Sequence, residues 1–158
     1  MKNKWIIVGV AAVSVLLGGA LAAAHSYNPI KWIKKGPSPT ASEQLAANKE
    51  EEKKLSLQLQ ALLPPRTSLK DACAGFKNLN DCVAALHVSH NLKIKFNCLK
   101  WDVTGAKPAG DVKSCAAPSN EKAINLSKAI RGMKPDANSR TEAKTAEKRA
   151  REDIKDAS

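Results

Sequence analysis

The chain has 158 residues, 26 Lys and Arg against 15 Asp and Glu, a net charge of +11 and only 4% aromatic side chains. That length leaves room for one small domain with tails and excludes a multidomain enzyme. The positive balance favours anionic partners such as lipid headgroups, envelope polymers or nucleic acid, without selecting one.

Behind a basic Met1-Lys2-Asn3-Lys4 start, residues 5–24 form an uncharged apolar run of 20 residues. A helix needs about that many to cross ~30 Å of hydrocarbon. Ala22-Ala23-Ala24 supplies a small-x-small cleavage site, so 1–24 is either a membrane anchor or a signal peptide removed after Ala24. Length favours the anchor, because a cleaved signal has an apolar region of roughly 7–15 residues. Tyr27 and Trp32, with Lys31, Lys34 and Lys35, make a membrane-interface belt. Lys2, Lys4 and the amino terminus balance those three lysines, so charge does not orient the segment. An even cysteine number in a small region reads as a disulfide framework, which persists outside the cytoplasm. The chain is therefore placed on the bacterial cytoplasmic membrane with 25–158 outside, or as a periplasmic or secreted protein if cleaved.

The juxtamembrane linker 25–40 is basic and ends in Gly-Pro-Ser-Pro-Thr, a stiff spacer. An amphipathic helix is expected over 41–63, with Leu55, Leu59, Leu62 and Leu63 on one face and Pro64-Pro65 as its stop. The disulfide-stapled helical core is expected over 64–135. Ser68 with Asp71 caps a short helix there, and Asn78 with Asp81 caps a longer one over 79–91. Leu79, Cys82, Val83, Leu86 and His90 fall on one face of the longer helix. Asn97 is expected to cap a further short helix that stops at Gly105 in a left-handed turn. Residues 105–118 read as loop, and Ser119 caps a helix over 120–133 ended by Lys134-Pro135. Ser139 and Glu142 form a capping box for the charged C-terminal helix of 136–158. Its Ala143, Ala146, Ala150 and Ile154 make so thin a seam that a mobile extension or docking strip is expected.

Only residues 55–134 have the apolar density of a core, and a core of that size is marginal without staples. Cys73 lies in the last turn of one short helix and Cys82 in the first turns of the next, so a tight turn brings them together. Cys98 opens a further helix and Cys115 lies in the loop that returns to it. The pairs Cys73–Cys82 and Cys98–Cys115 are predicted, one of the three connectivities that four cysteines allow.

Two binding chemistries compete with a structural role. Cys82, His87, His90 and Cys98 are four borderline-soft groups, enough for tetrahedral zinc, although their spacing matches no standard finger and thiols in an oxidising compartment pair instead. Lys93, Lys95, Lys100 and Trp101 could neutralise and stack on an anionic polymer. Residues 66–134 carry twelve Lys and Arg against five Asp and Glu, a net +7, which places the positive field on the core. Nucleic acid is disfavoured as a partner because an exported chain does not meet the chromosome. No nucleophile elbow, phosphate loop, His-Glu-x-x-His or paired-carboxylate motif occurs, so no enzyme, catalytic residue or cofactor is expected.

Leu-Pro-Pro at 63–65, Ala-Cys-x-Gly-Phe-Lys-Asn-Leu at 72–79, Cys-Val-Ala-Ala-Leu-His-Val-Ser-His-Asn-Leu at 82–92 and Leu-Ser-Lys-Ala-Ile at 126–130 before Lys134-Pro135 form a pattern. From 62 to 135 the chain resembles a group of small uncharacterised exported bacterial helical proteins. That resemblance implies a small helical exported fold and carries over no functional residue. It also implies that Cys98 and Cys115 are an extra pair spanning an enlarged loop. The expected protein is all-α: a small bundle of short helices with disulfides after one N-terminal transmembrane or signal helix. It contacts the membrane through 5–24 and an unknown protein through its domain.

Overall fold

A computed structural model describes residues 38–108, 114–115 and 122–158. The apolar run 5–24, its cleavage site, Tyr27, Trp32 and the cap Ser119 lie outside these residues. The described residues are helical, with no strand among them, and none of their helices is long and apolar enough to cross a membrane.

The helix expected over 41–63 is two. Helix α1 spans Ala41–Ala47 behind a capping box, in which Thr40 N–H donates to Glu43 Oε2 at 2.7 Å. Asn48 is extended, with φ −136° and ψ 95°, and its Oδ1 accepts from Glu51 N–H at 3.2 Å to start α2 (Lys49–Gln58). A short amide side chain competes for the backbone in this way, breaking a run that propensity alone would keep helical. Glu50, Glu51 and Glu52 occupy the first turn of α2, where the positive end of the helix dipole favours them. Leu55 and Leu59 are buried as expected, while Leu62 and Leu63 lie past the helix in turns and pack partly against the core.

Helix α3 (Leu69–Cys73) is capped by Ser68 and α4 (Leu79–Leu92) by Asn78, as the sequence predicts. Gly75, at φ 89°, and a turn over 77–78 reverse the chain between them. Lys93 closes α4 in a left-handed conformation, φ 55°. Helix α5 (Phe96–Thr104) starts earlier than the expected Asn97 cap. Its N-cap is Lys95, which makes no side-chain capping bond. Packing explains the shift: Phe96 is buried and stacks on Phe76 with ring centroids 6.3 Å apart. Gly105 ends α5 at φ 71°, as expected.

Helix α6 is Leu126–Met133, shorter than the expected 120–133, because residues 122–125 are not helical. Ile124 N–H instead donates to the Asp102 carbonyl at 2.9 Å, tying this strip to α5, and Asn125 becomes the cap. Helix α7 (Ser139–Ala157) is capped by Asn138, one residue before the expected Ser139. Ser139 is buried in the first turn, where it accepts from the Ser127 hydroxyl at 3.4 Å.

The largest departure is the role of α7. Ala143, Ala146, Ala150 and Ala157 are buried in the same hydrophobic core as Leu45, Leu86 and Ile130. The helix packs on α4, α6 and α2 and is no loose extension. A seam of alanines buries little area per residue, yet it lets two helix axes approach closely and loses no rotamer entropy. His87 of α4 and Asp153 of α7 close the same contact with a 2.6 Å bond between Nε2 and Oδ2.

Ala150 is fully buried, so Ala150→Leu should overpack the α4–α7 contact and destabilise by about 1–3 kcal/mol. The exposed Arg149→Ala should stay within about 0.5 kcal/mol. Denaturant unfolding of both variants measures the difference, and equal midpoints would mean that α7 is not part of the core.

Candidate functional site

The cysteines pair as the sequence predicts, Cys73 with Cys82 and Cys98 with Cys115. The first bond closes the α3–α4 hairpin, and both of its residues are 0% exposed. The second ties the third residue of α5 to the chain beyond Gly105. Cys98 is 8% exposed and Cys115 half-buried. Cys82 and Cys98 thus sit in separate disulfides and offer no thiolate to a metal. His87 is engaged with Asp153 across α4 and α7. His90 is exposed in the last turn of α4, which corrects its expected place on the apolar face. The helix is enclosed on several sides between Cys82 and Leu86, but in its last turns the covered side is that of Val88 and Leu92, which leaves His90 outside. Among the described residues no three His, Cys, Asp or Glu come together in a way that could hold a metal ion.

The basic and aromatic set is scattered in its partners. Lys100 is half-buried on α5, and its Nζ donates to the Asp71 carbonyl at 3.0 Å, near the end of α3. Burial pushes its pKa below the usual lysine value of 10.5, and the Asp71 charge partly opposes that shift. Trp101 is half-buried and carries the Lys107 ammonium 5.6 Å from its ring centroid, a cation–π contact. Lys95 Nζ donates to Ser114 Oγ at 2.6 Å. Lys93 is exposed at the α4 cap. Three of the four residues therefore have partners within the chain. Phe96 is a core anchor. Lys107 was invisible as a partner of Trp101 in the sequence, although the left-handed Gly105 between them signals a reversal of the chain. Asp102, on the same helix, has its carboxyl pKa raised by burial.

A separate feature went unnoticed in the sequence. A groove of about 670 Å³ runs between the α1–α2 junction and α7. Ala47, Leu79 and Ile154 give it apolar lining. Glu43 and Glu51 stand on the α1–α2 side, Arg151 and Lys155 on the α7 side. The break at Asn48 creates one wall, because an unbroken helix over 41–63 could not turn there.

Comparisons with protein-family models, curated proteins and solved structures find no match for this chain.

The Lys100 environment has a signed consequence. With a folded-state pKa below 10.5, the folded protein sheds the Lys100 proton before the unfolded chain does. Folding is thus favoured increasingly as pH rises through that window. The stability of the wild type relative to Lys100→Met should increase between about pH 7 and about pH 10. Denaturant midpoints of both proteins at the two pH values check this, and a difference that does not grow would mean that burial leaves the Lys100 charge unperturbed.

Proposed function

We propose that this chain is an extracytoplasmic helical module that works by binding a protein partner, with no catalytic step. The observation that carries the reading is the groove between α1, α2 and α7, with an apolar lining flanked by acids on one side and bases on the other. A polyanion laid there would meet Glu43 and Glu51, whereas a mixed-charge peptide segment complements both walls. The extracytoplasmic placement rests on the uncharged run 5–24 and on two cysteine pairs closed as disulfides in an aromatic-poor chain. The resemblance of 62–135 to small exported bacterial helical proteins points the same way.

A second reading, binding of an anionic envelope polymer, is favoured by the exposure of Lys93 and Lys95 and by the net +7 of residues 66–134. The internal contacts of Lys100 and Trp101 narrow it to the corner between α4 and α5. Zinc binding would first require both disulfides to open, since Cys82 and Cys98 belong to different pairs.

The two readings separate by site-specific photo-crosslinking of the full chain in its native envelope. A crosslinker replacing exposed Lys155 should yield an adduct with one protein, and Ala47→Trp, which fills the groove, should abolish that adduct. An adduct unaffected by Ala47→Trp would overturn the groove reading. Crosslinks confined to position 93, with salt-dependent polymer binding, would favour the second reading.

Placement has its own test. A reporter fused after Ser158 should be active outside the cytoplasm, and activity only in the cytoplasm would overturn export. N-terminal sequencing then reads Met1 for an anchor and His25 for a cleaved signal.

A further inference from the structure

The two disulfides stand in opposite chemical surroundings. Cys73 is the last residue of α3 and Cys82 the fourth of α4, and neither has any exposed surface. Asp71 and Asp81 flank that pair along the chain, but Lys70, Lys77 and the Lys100 ammonium on the Asp71 carbonyl offset them, so burial is what closes this bond to a thiolate. Cys115, by contrast, is half-buried on a part of the chain that belongs to no helix, beside exposed Ser114. Its partner Cys98 is the third residue of α5, at a helix start where no side chain caps the amides. Lys95, one turn before Cys98, holds its ammonium 2.6 Å from the hydroxyl of Ser114, the residue next to Cys115. A thiolate forming on Cys98 would be stabilised by the positive end of α5 and by that ammonium.

We propose that Cys98–Cys115 is a thiol-exchange site for a dithiol reductant, while Cys73–Cys82 is a closed structural bond. In the first step a thiolate of the reductant attacks Cys115 Sγ, the S–S bond breaks, and Cys98 Sγ leaves with the electron pair as a thiolate. The second thiol of the reductant, giving up its proton, attacks the mixed disulfide and releases Cys115 as a thiolate. Two electrons pass from the dithiol to the protein, the reductant becomes a disulfide, and two protons convert the released thiolates to thiols. Reduction unlinks α5 from the chain that carries Ser114 and Cys115 and leaves the Lys95–Ser114 hydrogen bond as a tie between them. The α3–α4 hairpin stays closed, because exposing Cys73–Cys82 requires the core to open.

Dithiothreitol added to the oxidised full chain under native conditions, followed by alkylation and peptide mapping over time, tests the assignment. Cys98 and Cys115 should be labelled at least about tenfold faster than Cys73 and Cys82, with helical circular dichroism retained. Equal rates, or earlier labelling of Cys73 and Cys82, would overturn the proposal. Lys95→Gln should slow labelling of Cys98 and Cys115 by a few fold, about what one nearby charge contributes to thiolate chemistry. An unchanged or faster rate would remove the role given to Lys95. The double variant Cys98→Ser, Cys115→Ser should keep its helical signal, and its unfolding would show that exchange at this bond cannot occur within the folded state.

Discussion

The burial of α4 is the constraint on which the rest of the structure depends. Leu79, Cys82, Val83 and Leu86 form the expected apolar face, yet Ala84, Ala85 and Val88 on other sides are equally buried. A helix buried this widely needs neighbours on several sides, and α1, α3, α5 and α7 supply them. Each neighbour is short or polar and could not persist by its own propensity, since isolated helices below ~12–15 residues are marginal in water. Their stability is borrowed from α4. This arrangement explains why an alanine seam suffices on α7: small side chains against a central helix let the axes approach and keep the interface dense.

Covalent and hydrogen-bonded ties then fix which neighbour sits where. Cys82 holds α3 against α4, and His87 meets Asp153 of α7. A buried aliphatic side chain contributes roughly 1.5–3 kcal/mol, and the entropy of ordering the chain cancels most of such gains in a small domain. A staple of about 3 kcal/mol, the chain-entropy value for loops of this size, is therefore a large share of the net stability. The aromatic contribution is concentrated in one place, the Phe76–Phe96 stack, which joins the turn after α3 to the first residue of α5.

Asparagine sets the corners. Asn48, Asn78, Asn125 and Asn138 start α2, α4, α6 and α7, each accepting a backbone N–H in the first turn. Such caps turn the chain without glycine or proline, since the Asn side chain replaces the missing helical partner. The corner at Asn48 shapes the groove beside α7. The corner at Asn125 shortens α6 and frees Ile124 to bond the Asp102 carbonyl of α5. The net positive charge of 66–134, meanwhile, does not form a bare platform. Lys95, Lys100 and Lys107 each meet a hydroxyl, a carbonyl or a ring within the chain.

Local chemistry determined a good deal by itself. The all-helical class, the caps at Ser68 and Asn78, the left-handed stop at Gly105 and both cysteine pairings were legible, because each depends on residues within a few turns of one another. The Cys73–Cys82 pairing followed from helix ends that a tight turn brings together, and Cys98–Cys115 from a loop that returns to α5. What depended on contacts between distant segments was not legible. The start of α5 moved to Phe96 because Phe76 holds its ring. His90 left the core because the side of α4 that stays covered in its last turns is that of Val88 and Leu92. The seam of α7 became core because α7 packs on α4, α6 and α2 at once. The partners of Lys100 and Trp101, and the groove between α1, α2 and α7, come from segments far apart along the chain. Periodicity tells which face of a helix is apolar. How many faces are covered, and by what, is decided only when the other helices are in place.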